Sequence, residues 1–550
     1  MQQLKGKKIT IGLEKSDLFL IAILLVSLIL RFACLIQLKS SHLSGFFVAD
    51  AYPYDSLALE ILKGNLFSRD FLYTYPVYPF FVSIVYYIFG HSLIAVGVIQ
   101  ILLDALTGIL LYSICLKIFN KKSIALLAFF MYACYGLAIL YTGFLVAVTL
   151  SIFINVLLIW VLIPTMSKKH PVHWLFSGVI LGLSFLITAN TIIFLPFLVI
   201  WSVSGIKKDT RKKITNLLYL VLGICITLAP FSLRNYKIEK NFSPFPAQGG
   251  LKFYIGNNPQ ARGIYETLNG ISKVPITDVK DSIALAEKEA KKDFNSFQAS
   301  LYWSKKGLRF IASHPFIFLD LVMRKFILFW NNVEFAPNVN YYFCSTILPV
   351  LKLPLFSFGL IAPFSILGII FVFTQKQEKA YLVIALIFAY ILYAIIFFVA
   401  DRYRIPVVPF LIMLASYAVY NFYLIARNGF KRELIGCLVL LFVLFITINS
   451  DFYPINPKNS FTTARRNLGL VYYNLGNVYV SKAMMTEAVE HYQKAIELNP
   501  GFTEAYNNII LAYYKKNDFN QARNYYYKAI SRGLGINPLY QEVLSLGHNK

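Results

Sequence analysis

Long, uninterrupted apolar runs dominate the chain and limit its architecture more than any other feature. Ser123 to Leu140, Phe144 to Ile163 and Ala380 to Val399 each come close to the roughly 20 residues that cross a hydrocarbon core as a helix. Leu18 to Leu38 is as long, broken only by Arg31 and a few small or polar residues. Inside a bilayer no water satisfies backbone N–H and C=O groups, so such runs fold as helices. Composition agrees: 57% of residues are hydrophobic and 14% charged, against about a quarter charged in a soluble domain. The expected fold class is an all-α polytopic membrane protein.

Eleven membrane helices are expected near 17–37, 92–118, 123–141, 144–164, 172–188, 191–205, 214–231, 346–373, 379–399, 404–426 and 432–449. The first follows Lys5, Lys7 and Lys8 and has no convincing small-residue cleavage site, so it is read as a membrane helix and not a signal peptide. Further basic groups are Lys121-Lys122, Lys168-Lys169, Lys207-Lys208, Arg211-Lys212-Lys213, Lys376 with Lys379, and Arg427 with Lys431-Arg432. All fall on one side if the segments cross in turn, which makes that side, and the N-terminus, cytoplasmic. The net charge of +25, from 52 Lys+Arg and 27 Asp+Glu, is therefore an orientation signal. A nucleic-acid partner, which needs a soluble basic face with exposed aromatics, is not expected.

The domain reading is an N-terminal membrane core at 1–231 with a first outer loop at 38–91, a large mixed outer loop at 232–345, membrane helices at 346–449 and a tail domain at 460–545. Two apolar stretches, 76–90 and 315–330, must not cross if the parity is to hold. They are expected to lie on the outer membrane surface as helices, with a re-entrant course as the other reading. In the tail, Tyr472, Leu475, Gly476, Tyr479, Ala488, Tyr492, Ala495 and Pro500 follow the tetratricopeptide pattern, and Tyr506, Ile509, Tyr513, Ala522, Tyr526 and Ala529 repeat it 34 residues later. Two repeats fall short of the three or so that stand alone, so flanking helices near 460 and 540 are expected to cap them.

The candidate chemistry lies outside the membrane. Asp50, just past the first membrane helix, can accept a hydroxyl proton or orient an acceptor; capping the following helix is the bland alternative. Asp55 is the weaker catalytic candidate because it sits inside that helix. Asp401-Arg402-Tyr403-Arg404 stands at the outer start of a membrane helix, where arginine forks match phosphate oxygens and Arg and Tyr also serve as ordinary interfacial anchors. Arg234, at the exit of the seventh helix, and Arg324-Lys325 are further phosphate or headgroup candidates. Arg31 and Asp104 lie within membrane helices, where charges are functional or paired; a structural Arg31–Asp104 pair is the favoured reading. The six cysteines show no paired spacing, so neither a disulfide framework nor a zinc cluster is expected. His42, His91 and His314 are isolated, no cofactor is expected, and a divalent metal has no support. The cytoplasmic loops are too short for a nucleotide-binding domain.

In chain order the pieces are Ala49-Asp50 and Tyr54-Asp55, Tyr75-Pro76, Tyr78-Pro79-Phe80, Phe89-Gly90, Pro230 with Leu233-Arg234-Asn235-Tyr236, and Gly256-Asn257-Asn258-Pro259 with Gly263 and Tyr265. His314-Pro315, Arg324-Lys325, Phe329-Trp330, Glu334 and Arg402-Tyr403-Arg404-Ile405-Pro406 follow. Over about 17–426 this order resembles the GT-C superfamily of membrane glycosyltransferases, in its protein-mannosyltransferase-like and aminoarabinose-transferase-like branch. The resemblance implies a polyprenyl-phosphate sugar donor, inverting transfer on the outer face of a bacterial cytoplasmic membrane, Asp50 as catalytic residue, and Arg402 or Arg404 on the carrier phosphate. Many relatives carry Glu after Thr142-Gly143, where this chain has Phe144 and Val148, and Arg near Thr188-Ala189-Asn190, where this chain has none. The expected acceptor is a lipid, glycan or protein, and the tail is expected to hold a protein partner or the acceptor. The rival readings are a ligase or polymerase using diphosphate-linked donors and a non-enzymatic assembly scaffold.

Overall fold

A computed structural model describes residues 15–41, 51–165, 171–204, 210–268, 270–271, 277–335, 339–429, 431–450, parts of 469–480, and 484–536. Asp50, His42 and the stretches near 460 and 540 lie outside the described residues. The described chain separates into a membrane unit and a tail unit, the latter taking in the helix Tyr341–Ile347.

Each of the eleven expected segments of the membrane unit is helical for much of its length. Among the described residues seven helices are long and apolar enough to cross a membrane: Lys15–Ser40, Leu93–Phe119, Val148–Thr165, Thr210–Glu239, Glu378–Ile396, Asp401–Arg427 and Lys431–Asn449. Shorter apolar helices, Lys122–Ala133, Val172–Ile187, Ala189–Ser202 and Phe358–Thr374, account for the remaining four. The segment expected at 346–373 begins as a helix only at Phe358. Pro349 and Pro354 lack the N–H that a continuous helix needs, and they leave a 3-10 turn, Pro349–Lys352, and an extended stretch before it. The segment expected at 123–141 is two helices, Lys122–Ala133 and Gly136–Tyr141. At the interruption the Phe356 N–H donates to Cys134 O (3.0 Å), and Tyr135 and Phe356 form a short parallel bridge.

Two kinds of contact hold the membrane helices. The first is close backbone approach. A Cβ on Gly178 would stand 2.1 Å from Leu220 O, and one on Gly223 would stand 2.2 Å from Leu175 O. Only glycine lets the helices Val172–Ile187 and Thr210–Glu239 touch along this line. The second is a buried charge pair. Arg31 Nε donates to Asp104, Tyr132 donates to the same carboxylate, and Arg31 Nη1 donates to Ala133 O at 2.8 Å and to Ser27 O at 3.2 Å. Both charged side chains are excluded from solvent.

The loop expected to be mixed is helical, with irregular connections: Gly249–Gly256, Thr277–Ala290, Ser296–Ser313 and Pro315–Trp330. Its regular pairing in the described residues is the single bridge Ile264–Val399. Val77–Phe89 and Pro315–Trp330, the two stretches expected to stay on the surface, are both helices. The second is amphipathic: Phe316, Ile317 and Leu319 are exposed, while Leu321, Leu328 and Phe329 are buried.

The tail unit holds the helices Met485–Leu498, Thr503–Lys515 and Phe519–Ile530. Ala488, Tyr492, Ala495, Tyr506, Ile509, Tyr513, Ala522 and Ala529 are buried, as the repeat spacing requires.

Removing one member of the Arg31–Asp104 pair leaves a bare charge among apolar helices, at a cost of about 3–5 kcal/mol. Arg31→Met and Asp104→Leu are each expected to lower the thermal unfolding temperature of the detergent-purified protein sharply. The double variant is expected to regain much of the loss.

Candidate functional site

Three stretches converge at one end of the membrane unit: the loop that follows the first membrane helix, the long loop 232–335, and 397–404. The Ala247 N–H donates to Leu72 O (3.0 Å) and Gln248 Nε2 to Tyr73 O (2.8 Å), fastening the large loop to the first. The Val399 N–H donates to Gly263 O at 2.9 Å. A Cβ on Gly256 would lie 1.7 Å from Phe397 O, so this approach also demands glycine. Leu251, Ile255, Ala299 and Trp303 of the loop helices share a core with Tyr393, Phe398 and Tyr403.

Arg402 and Arg404 sit on the short helix Asp401–Arg404. Residues two apart on a helical turn point to nearly opposite sides, and the two arginines have different surroundings. Arg404 is buried. Nη1 donates to Phe329 O (2.9 Å) and Asn331 O (2.6 Å), and Nη2 donates to Val333 O (3.3 Å) and Glu334 Oε2 (2.6 Å). Its cation stands 3.7 Å from the centroid of Phe358. With both terminal nitrogens engaged, Arg404 is a strut, not a free anion receptor. Arg402 is only partly buried, and its guanidinium lies 5.1 Å from the centre of the Tyr403 ring. Tyr403 meets Tyr393 edge-on at 5.4 Å. Tyr75 of the first outer loop lies within electrostatic range of both Tyr403 and Arg402. Burial pushes its phenol pKa up, Tyr403 adds to the rise and Arg402 opposes it.

Asp401 locks the turn. Its Oδ1 accepts from the Arg402 N–H (2.6 Å), its Oδ2 accepts from Tyr141 (2.8 Å), and its own N–H donates to Phe335 O (3.0 Å). Glu334, which also accepts from Tyr135 at 3.4 Å, completes a buried set of opposed charges around the arginine turn.

The other candidate residues lie in different settings. Asp55 is buried in the helix Ala51–Leu62, where its Oδ1 accepts from the Tyr86 hydroxyl (2.6 Å) and lies 2.8 Å from His91 Nε2. His91 is thus not isolated. Arg234 is buried, with Nη2 donating to Asn235 Oδ1 (2.9 Å) and Phe71 O (3.3 Å) and its cation 4.9 Å from the Phe71 ring. It braces the first outer loop. Lys325 is fully buried, and Nζ donates to Asn257 Oδ1 (3.1 Å) and Ile395 O (3.0 Å). With no carboxylate among these partners, burial pulls its pKa down to about 7. Among the described residues no group of three or more His, Cys, Asp or Glu side chains could hold a metal.

Sequence reasoning missed an uncharged polar network in the membrane interior. Asn155 Nδ2 donates to the Tyr390 hydroxyl (2.5 Å), Ser184 donates to Asn155 Oδ1 (3.0 Å), and Ser184 and Thr191 hydroxyls meet at 2.8 Å. Nearby, Gln100 Nε2 donates to Thr142 O (3.0 Å) and Phe144 O (2.9 Å) while accepting from Tyr78 (2.9 Å). The one prior signal was an Asn, a Gln and hydroxyl residues inside apolar helices.

The membrane unit is helical among the described residues, with its long loops gathered on an arginine–tyrosine turn, and a helical repeat tail follows it in the chain. Residues 74–233 match the family described as dolichyl-phosphate-mannose-protein mannosyltransferase, and residues 469–502 and 503–532 each match a tetratricopeptide repeat. The first match supports a glycosyltransferase of the GT-C type with a polyprenyl-phosphate-sugar donor. No curated protein matches the chain. The matched span contains Tyr75, Asn155, Ser184 and Thr191, and excludes Asp50, Asp55, Arg234, Lys325, Tyr390, Arg402 and Arg404.

The Lys325 setting gives a stability signature. A free lysine holds its proton up to about 10.5, and this one in the fold up to about 7. Between those values the unfolded chain binds a proton that the folded chain does not, so stability rises with pH across that window. Thermal unfolding in detergent is expected at higher temperature at pH 9 than at pH 6.5. Lys325→Met should flatten that rise.

Proposed function

We propose that the protein transfers a sugar from a polyprenyl-phosphate carrier to a lipid, glycan or protein acceptor on the periplasmic face of a bacterial cytoplasmic membrane. The N-terminus is then cytoplasmic and the repeat tail periplasmic. The observation that carries the reading is the division of labour on the Asp401–Arg404 turn. Arg404, Glu334, Asp401 and Tyr141 fix the turn from inside, and Arg402 remains beside Tyr75, Tyr393 and Tyr403 as the cation for the carrier phosphate. Tyrosine rings near that cation supply apolar faces for sugar or prenyl carbons and hydroxyls for the phosphate oxygens.

Asp50 is the general base on the acceptor hydroxyl in this scheme, by its match to the family's acidic first loop. The phosphate-linked sugar already carries a good leaving group, so a base and a phosphate-holding cation account for the chemistry. Asp55 moves from catalyst to support: with Tyr86 and His91 it anchors the helix that begins one residue after Asp50. Arg234 and Lys325 likewise become supports of the outer loops. The tail offers a protein partner or acceptor a docking surface. The reading as a ligase with diphosphate-linked donors draws less support, since Arg262 is paired with Glu266 at 2.5 Å.

Purified protein given radiolabelled polyprenyl-phosphate sugars tests the scheme. Asp50→Asn is expected to lose about 10²–10⁴-fold in transfer rate, the range of a general base. Arg402→Ala is expected to weaken use of the carrier-linked donor, and Arg404→Ala to destabilise the fold. Equal transfer by wild type, Asp50→Asn and Arg402→Ala would overturn the assignment.

A further inference from the structure

The short stretch Trp330–Phe335 holds more than Arg404. Asn331 uses every polar group it has: its main-chain O accepts from Arg404 Nη1 (2.6 Å), its Oδ1 accepts from the Val333 N–H (2.9 Å), and its Nδ2 donates to Ser450 O (3.0 Å). Next to it the Asn332 N–H donates to Ile448 O (3.0 Å), and Asn332 Oδ1 accepts from the Gly359 N–H (2.8 Å). Asn449 Nδ2 donates to Gly359 O at 3.3 Å. Ile448, Asn449 and Ser450 are the outer end of the last membrane helix, Lys431–Asn449, from which the chain runs on to the repeat tail. One turn therefore binds the arginine strut on one side and the stem of the tail on the other.

The packing of the last membrane helix gives this knot its importance. Cys437, Leu441 and Ile448 are its buried residues, while Ile435, Leu438, Val439, Phe442 and Val443 are exposed. Phe445 meets Phe364 at 5.9 Å between ring centres, and beyond it hydrogen bonds fix the end of the helix. In a low-dielectric surround such bonds are costly to leave unmade.

We propose that Asn331 is a positioning residue that ties the stem of the C-terminal tail to the arginine turn, so that the placement of Arg402 depends on where the last membrane helix ends. The inference rests on the reading of Arg402 as the carrier-phosphate cation. The path runs through discrete contacts: Ser450 to Asn331, Asn331 to Arg404, and Arg404 to Arg402 two residues away on the same turn.

Asn331→Asp keeps the acceptor for the Val333 N–H and loses the donor to Ser450. Asn332→Asp adds the same charge and keeps the acceptor for the Gly359 N–H. The full chain in lipid nanodiscs is compared with these two variants by hydrogen–deuterium exchange over 400–407 and 446–450, and by binding of a polyprenyl monophosphate. Asn331→Asp is expected to speed exchange in both segments and to weaken phosphate binding by about tenfold, the scale of one lost buried hydrogen bond. Asn332→Asp is expected to stay near wild type. Unchanged exchange at 400–407 in Asn331→Asp overturns the proposal, as does a lowered unfolding temperature with unaltered phosphate affinity. If the wild type binds no polyprenyl monophosphate, the phosphate reading of Arg402 falls, and the exchange comparison still decides whether the stem and the arginine turn are joined.

Discussion

A guanidinium shut away from water is tolerated only when its N–H groups find acceptors, and one end of the membrane unit is arranged around meeting that demand at Arg404. Three of its partners are main-chain carbonyls, from Phe329, Asn331 and Val333, and the fourth is Glu334. Main-chain acceptors at alternate residues can reach one point only if the chain wraps around it. The bonding of Arg404 thus shapes the stretch that follows the helix Pro315–Trp330, and the Asp401 N–H to Phe335 O bond closes the loop of constraints. Without the carboxylate of Glu334 the buried charge would stand uncompensated, and without the carbonyls it would be underbonded. Arg402 can be presented beside the tyrosines because its neighbour two positions on is anchored this firmly.

Much of the architecture can be read from the residues, because the bilayer imposes length and polarity on each crossing segment. The apolar runs are helical where expected, and the repeat spacing of Tyr472 and Tyr506 finds its buried counterparts in the tail. The interruptions were harder to see. Pro349 and Pro354 do signal the late start at Phe358, but nothing local marks the break at Cys134–Tyr135, which depends on Phe356 more than two hundred residues away in sequence. For the same reason the candidate residues could be named from the sequence but not ranked by it. Arg402 and Arg404 are near neighbours with the same side chain, and only the fold gives one a cradle of carbonyls and leaves the other beside aromatic rings. Lys325 looks like a surface lysine beside Arg324, yet the helical period turns it inward onto Asn257 and Ile395. His91 looked solitary because Asp55 is its neighbour in space and not in sequence.

The interior network of Asn155, Ser184, Thr191 and Tyr390 bears on chemistry as well as packing. Charged groups in such positions would add fixed electrostatic fields to the membrane interior. This chain has dipoles there instead, which orient without contributing net charge.

The split between Lys122–Ala133 and Gly136–Tyr141 has a bearing on how such a sequence can change over evolutionary time. Arg31 donates to Ala133 O and Tyr132 O, the last carbonyls of the first half-helix, so it serves as the electrostatic plug of an end that lipid could not solvate. Substituting this arginine alone would strand both Asp104 and that terminus. A lineage that loses it is therefore favoured to lose the acid with it, while the break in the segment persists on its bond to Phe356.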